Sequence, residues 1–241
     1  MLEASNLSYQ IRTRKLLDGV SFRANPGELL AIVGANGAGK STLLKLCTHE
    51  LTATQGEIHL HNKAIGTYSD KELARFRAVL PQQNSVVFPF LVSELVLMGR
   101  YRHHGLFSAY APDDYARADA ALAAVGATHL AARDFTQLSG GEQQLVWLAQ
   151  LSLHDAALYL LDEPTQQLDV YYRRRVFELI HGWTQRAGKT VLCSTHDVDS
   201  LPELSGYLFN LAEETPTLRP ISAASVREAR AVLEAPPRPA A

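Results

Sequence analysis

Short apolar runs separated by turns open the chain, and the pattern shifts twice before it ends. Residues 2–8, 20–22 and 29–33 read as strands; the last is five consecutive apolar residues after Pro26-Gly27, which predicts burial on both faces. Residues 34–39 interrupt it with glycines at 34, 37 and 39, and apolar positions return at helical spacing at Leu43, Leu44 and Leu46. Residues 56–60 predict another short strand. From about residue 69 to 152 the texture is helical: 93–98 and 115–125 are amphipathic, and the alanine-rich 118–124 has high helix propensity. A second buried strand at 158–161 then ends in Asp162-Glu163, residues 170–185 are helical, and the β-rich 190–194 leads into Thr195-His196. Strand–helix alternation on both sides of a helical insert predicts an α/β fold, a mainly parallel sheet carrying an inserted α-helical subdomain. Beyond residue 197, positions 203–211 fit a helix end and an edge strand, and 216–234 a short helix with connecting coil. The Pro/Ala-rich residues 236–241 are expected to be disordered.

Composition narrows the function classes. A chain of 241 residues with 46% hydrophobic positions suits one large α/β domain or a domain with an inserted subdomain. With 23 basic and 25 acidic residues the net charge is −2, which lacks the basic footprint of a nucleic-acid binder, so no nucleic-acid partner is expected. There is no apolar run of about eighteen residues or more, and residues 1–5 lack the basic-then-apolar layout of a secretory signal. The expectation is a cytoplasmic protein. Cys47 and Cys193, distant in sequence and in no ligand spacing, read as buried free thiols.

The interruption after the third strand carries the first chemistry. Gly34-Ala35-Asn36-Gly37-Ala38-Gly39-Lys40-Ser41, followed by Thr42, fits the phosphate-binding loop, and it stands between a buried strand and a helix as that mechanism requires. Glycines let successive backbone N–H groups point at phosphate oxygens, and the following helix adds its positive end. Lys40 is expected to reach the β- and γ-phosphates, and the Ser41 hydroxyl to ligate Mg²⁺. At the end of the second buried strand, Asp162 suits the Mg²⁺ shell, which leaves Glu163 to polarise the water that attacks the γ-phosphate. Ser139-Gly140-Gly141 opens another helix, either as an ordinary cap with Ser139 at its head or as a second anion site.

The phosphate loop, Ser139-Gly140-Gly141, the carboxylate strand and Thr195-His196-Asp197, in that order, resemble the motif set of ABC-transporter ATP-binding subunits over roughly residues 2–200. The resemblance implies a phosphate-loop NTPase fold of ABC type. It has an N-terminal antiparallel β subdomain, a catalytic core at about 1–82 and 153–212, a helical subdomain at about 83–152 and a C-terminal extension at about 213–241. It implies a head-to-tail homodimer in which Ser139, Gly140 and Gly141 contact ATP bound by the partner copy. By the same resemblance Gln82 senses Mg²⁺ and the attacking water, His196 bonds the γ-phosphate, and Asp169 lies in the loop crossing the dimer interface. Some positions depart from the family. Where an adenine-stacking aromatic is usual the chain has Ile11, with Tyr9 nearby. Leu145 and Gln150 replace common arginines, and Gln166-Gln167 stands where Ser-Ala or Ser-Asn is frequent.

Residues 88–100, Phe88 through Arg100, together with Asn6-Leu7-Ser8-Tyr9 and 138–144, resemble the ATP-binding subunits of haem, siderophore and cobalamin importers, and most of all the hemin-import type. This implies ATP hydrolysis coupled to haem uptake, with an iron-siderophore or cobalamin cargo as the alternative. It further implies attachment to the cytoplasmic face of the membrane through a permease docked near Phe88–Arg100, and indirect work with a substrate-binding protein. A soluble non-transport ABC protein is disfavoured by the lack of a second nucleotide domain or long coiled-coil insertion. His103-His104 is expected to be a solvated loop, since adjacent histidines cannot share one helix face.

Overall fold

Side-chain alternation in the central strands decides where the layers lie. In the computed structural model, which describes residues 1–84, 86, 88–104, 109–201 and 204–234, the chain begins with β1 (Leu2–Ile11), β2 (Arg14–Ala24) and β3 (Leu29–Val33). It continues through α1 (Lys40–Cys47), β4 (Gln55–Leu60), β5 (Lys63–Ala64), α2 (Asp70–Phe76) and β6 (Arg77–Leu80). Three helices follow, α3 (Val92–Leu97), α4 (Pro112–Ala124) and α5 (Gly140–Ser152). The remaining elements are β7 (Leu158–Asp162), α6 (Val170–Gln185), β8 (Thr190–Ser194), β9 (Tyr207–Asn210), β10 (Leu218–Pro220) and α7 (Ala223–Glu234). Leu29, Ala31 and Val33 of β3, Tyr159 and Leu161 of β7, and Val191 and Cys193 of β8 face one core, shared with α3–α7. Their alternates Leu30, Ile32, Leu158, Leu160 and Leu192 face a second core, built with α1 and the N-terminal strands.

Among the described residues the larger sheet has the order β10-β9-β3-β8-β7-β6, parallel except for the antiparallel β10–β9 pair. The smaller sheet, β2-β1-β4-β5, is antiparallel throughout. Mainly parallel core and antiparallel N-terminal sheet are thus both present, and α3–α5 lie in sequence between the edge strand β6 and β7. Gly99 lets the 3₁₀ turn Met98–His103 pass directly over α5: a Cβ there would overlap the Gln150 carbonyl oxygen. Among the described residues no helix is long and apolar enough to cross a membrane.

Three sequence expectations need correcting. The stretch 69–152 is not wholly helical, because β6 interrupts it; four residues with Ala78 and Leu80 turned inward pair with β7. The first hairpin is longer than the apolar runs, since backbone pairing carries it past the buried positions to an exposed tip, where Gln10 pairs with Lys15 and Ile11 with Arg14. The coil expected near residue 218 is β10, followed by α7. The predicted tail 236–241 lies outside the described residues. Cys47 and Cys193 are buried and unpaired as expected, and burial pushes both thiols upward, Cys47 to about 12.

Candidate nucleotide site

The site is built where β3 hands over to α1. Val33 ends a fully buried strand, and the backbone takes left-handed conformations at Gly37 (φ 81°) and Gly39 (φ 96°), which only glycine adopts without strain. A Cβ on Gly39 would sit 2.8 Å from the Leu16 carbonyl oxygen, so β2 packs hard against the loop. Gly39 is also the N-cap of α1, and no side chain caps that helix. Its first-turn N–H groups are thus left without a side-chain acceptor at the mouth of the loop, an arrangement suited to an anion.

Charge is held just below. Lys40 is buried; its Nζ donates to the Gly34 carbonyl at 2.8 Å and lies 3.6 Å from Glu163 Oε1. Strand alternation would turn Asp162 and Glu163 to opposite faces, but Glu163 has φ 51°, so the chain swivels as β7 ends. Ser194 on the neighbouring β8 fixes both: its hydroxyl donates to Asp162 Oδ1 at 2.5 Å and accepts the Glu163 N–H at 3.0 Å. Glu163 Oε2 is 2.7 Å from His196 Nδ1 and accepts the His196 N–H at 3.3 Å. A cavity of about 370 Å³ is lined by Ala35, Asn36, Gly37, Gly39, Lys40, Ser41, Thr42, Gln82 and Glu163, together with Arg14 and Leu16 of β2. Loop, buried lysine, Gln82 and Glu163 therefore meet at this cavity, while His196 adjoins it through Glu163 and Asp162 through Ser194.

Four predicted residues lie elsewhere. Ser139 caps α5, its hydroxyl donating to Glu142 Oε2 at 2.8 Å while Glu142 Oε2 accepts the Ser139 N–H at 2.8 Å. Gly140 lines a second cavity of about 490 Å³ walled by the amide side chains of Gln82, Gln83, Asn84, Gln143, Gln144, Gln166 and Gln167, with Trp147. Gly141 abuts the Gln167 backbone, and Asp169 caps α6 by accepting the Tyr172 N–H at 3.0 Å. Gln82 borders both cavities, and its Nε2 donates to Gln166 Oε1 at 3.4 Å. Arg14 and Leu16 were missed by sequence reasoning; nothing in a polar-alternating strand marks which outward residue meets a loop more than twenty positions away. Neither Tyr9, which packs on the second core, nor Ile11, half exposed, lines the phosphate-loop cavity.

The expected solvated histidine loop holds for His103, which is exposed, but not for His104. His103 ends the 3₁₀ turn, and His104 Nε2 lies 2.8 Å from Asp114 Oδ2, whose other oxygen takes Arg100 Nε at 2.8 Å. The Arg100 hydrogen bond, foremost, holds the Asp114 carboxyl below its usual range. Among the described residues there is no cluster of His, Cys, Asp and Glu able to hold a metal by itself. Along 88–100 the side chains divide: Val92, Leu95, Val96 and Leu97 are buried, whereas Phe88 (71% exposed), Leu91 and Met98 face outward.

The model of the family described as ABC transporter matches residues 17–166, more than half of the chain. The chain belongs to the ABC transporter family. It is an ATP-hydrolysing transporter ATPase. It is 38% identical over 205 residues to the hemin import ATP-binding protein HmuV of Methylobacillus flagellatus, covering 83% of this chain and 76% of that one. It is 39% identical over 250 residues to the HmuV of Bradyrhizobium diazoefficiens, covering 95% and 87%. Among solved structures it resembles an inward-facing metal-chelate type ABC transporter at TM-score 0.75 and 31% identity, over 94% of this chain and 84% of that one. A dimeric bacterial ABC transporter cassette superposes at TM-score 0.76 with 25% identity, over 87% and 94%. ABC cassettes form dimers and work with membrane permeases, and this chain shares their fold.

Proposed function

We propose that the chain is the ATP-hydrolysing subunit of a haem importer, working as a homodimer on the cytoplasmic face of the membrane. The observation that carries the ATPase chemistry is Glu163, buried at the end of β7 between Lys40 and His196 and lining the phosphate-loop cavity. ATP's phosphates lie along Gly34–Ser41 and Thr42, with the N–H groups of the loop and of α1 as donors and Lys40 as counter-charge. Ser41, Gln82 and Asp162 offer hard oxygen donors of the kind Mg²⁺ prefers. Mg²⁺, when bound, neutralises charge on the phosphate oxygens. Glu163 orients and deprotonates the attacking water, and His196, held by Glu163, is left with Nε2 to face the γ-phosphate. His196 is exposed over more than half of its side chain, which suits a group that meets an incoming ligand.

Ser139, Gly140 and Gly141 open α5 outside this cavity, so a site using them draws them from a second copy in a head-to-tail pair, with Asp169 beside the interface. The outward Phe88, Leu91 and Met98 supply an apolar face for the permease, with the substrate-binding protein acting through that permease. Haem as cargo rests on the two relatives named for hemin import; an iron-siderophore or cobalamin cargo is the second reading, favoured by the metal-chelate type neighbour. The reconstituted complex should hydrolyse ATP faster with haem-loaded binding protein than with siderophore- or cobalamin-loaded protein. Stimulation by either of the latter alone refutes the haem assignment.

A further inference from the structure

The phosphate-loop cavity carries a cation that none of the motifs accounts for. Inside it the buried charges cancel, with Lys40 lying 3.6 Å from Glu163. Yet the proposed ligand is a polyanion. Arg14, on the β2 wall, lines the same cavity, is exposed, and its side chain forms no ion pair or hydrogen bond with another described residue. Its position is set by backbone. It pairs with Ile11 across the hairpin, and two residues on β2 presses on the loop, where the Leu16 carbonyl and Leu17 side chain crowd the space a Cβ on Gly39 would need. From there one Arg14 Nη reaches to 3.7 Å from where a Cβ on Gly37 would stand, at the turn of the loop. The basic neighbour Lys15 is already paired to Asp18 at 3.0 Å, so the unengaged guanidinium belongs to Arg14.

We propose that Arg14 is a second cationic contact for the phosphate chain of the nucleotide, acting from β2 beside Lys40. The inference rests on the ATPase reading of this cavity. A guanidinium presents several N–H donors in a plane and makes paired, charge-assisted bonds to phosphate oxygens without the desolvation that burial imposes on Lys40. Its contribution is electrostatic and independent of the base, which separates it from a side chain that packs on adenine.

The test measures equilibrium binding of ATP, ADP and inorganic tripolyphosphate, each with Mg²⁺, to the full chain. All proteins carry Glu163→Gln to suppress turnover, and Arg14→Ala, Arg14→Met and Arg14→Lys are compared with Arg14 intact. Loss of one charge-assisted contact should weaken both ATP and tripolyphosphate roughly five- to tenfold in the Ala and Met variants, with Lys recovering most of it. The Met variant should also lose part of the salt dependence of ATP binding. A drop for ATP with tripolyphosphate unchanged would instead make Arg14 a base contact and overturn the proposal, as would a Met variant that binds like the parent. If the parent with Arg14 intact binds no ATP, the ATPase reading itself fails and this inference falls with it.

Discussion

Replacing Glu163 by Gln removes one charge and almost no volume from the centre of the site. The amide can still accept the His196 N–H now at 3.3 Å from Oε2, and a side chain of the same length still fills the buried end of β7. What disappears is the basic oxygen and the partner 3.6 Å from Lys40 Nζ. At an effective dielectric of about 20 that pair attracts by on the order of 4 kcal/mol before desolvation, so its loss leaves Lys40 free for phosphate and removes repulsion toward an anionic ligand. A general base contributes typically about 10²–10⁴ in rate, roughly 3–5 kcal/mol of barrier. Glu163→Gln should therefore lower kcat at least about a hundredfold while ATP binds as tightly as to wild type or tighter, and the ATP-bound dimer should persist through gel filtration. Phosphate-release kinetics and equilibrium ATP binding, measured on the same preparation, decide the matter. Turnover within about threefold of wild type refutes the base assignment, and a parallel loss of ATP binding would make Glu163 a structural residue. Lys40→Ala is the contrasting control, because it removes the buried counter-charge and should lose ATP binding itself.

Two predictions concern stability. His154 is held at a pKa of about 4 by burial first and by its neighbours Arg102 and His103 next, so the unfolded chain takes up a proton near the ordinary 6.5 while the folded chain resists until about 4. Stability is whole above pH ~6.5 and falls by up to about 3 kcal/mol as pH drops to ~4; denaturant titrations across that range should show a shallower acid limb for His154→Gln, and an unchanged limb refutes the assignment. At the head of α5 the two glycines should differ. A Cβ on Gly141 lies 2.9 Å from the Gln167 carbonyl oxygen, which is backbone, whereas on Gly140 it meets the end of the flexible Gln167 side chain. Gly141→Ala should lower Tm by several degrees, the effect of about 1–3 kcal/mol of overpacking, and Gly140→Ala by about one degree or less; the reverse order would show that the Gln167 backbone yields.

What could be read from the sequence was what is local. The β3–loop–α1 unit is a continuous apolar run, three glycines and a helix, each specified by its own residues, and it appears where the pattern places it. Ser139 was legible as a cap because the capping box is complete within four residues. The failures share a cause. β6 is a strand because β7 lies beside it, and its four residues are outweighed by the helix formers on either side. The His104–Asp114–Arg100 cluster joins residues ten and fourteen apart in sequence, and Arg14 reaches the phosphate loop only because the hairpin folds over it. The left-handed turn at Glu163 likewise depends on Ser194, which belongs to another strand.

That turn also explains why the carboxylate strand and the head of α5 cannot be treated as separate parts. From Glu163 the chain runs through Pro164, whose carbonyl accepts the Gln144 side-chain amide at 3.1 Å, to Gln166, which accepts from Gln82. Gln167 follows with φ 67°, its backbone against Gly141 and its side chain against Gly140, and Asp169 then caps α6. The α5 turn therefore rests on the same short segment that follows the Glu163 carboxylate. A displacement of α5 relative to the sheet must strain this segment or carry it along. Glu163 is held to Ser194 on one side, and its neighbours to Gln82 and Gln144 on the other. Gln82 borders both cavities and bonds to this segment through Gln166, so contacts within a single chain run without a break from the phosphate-loop cavity to the head of α5.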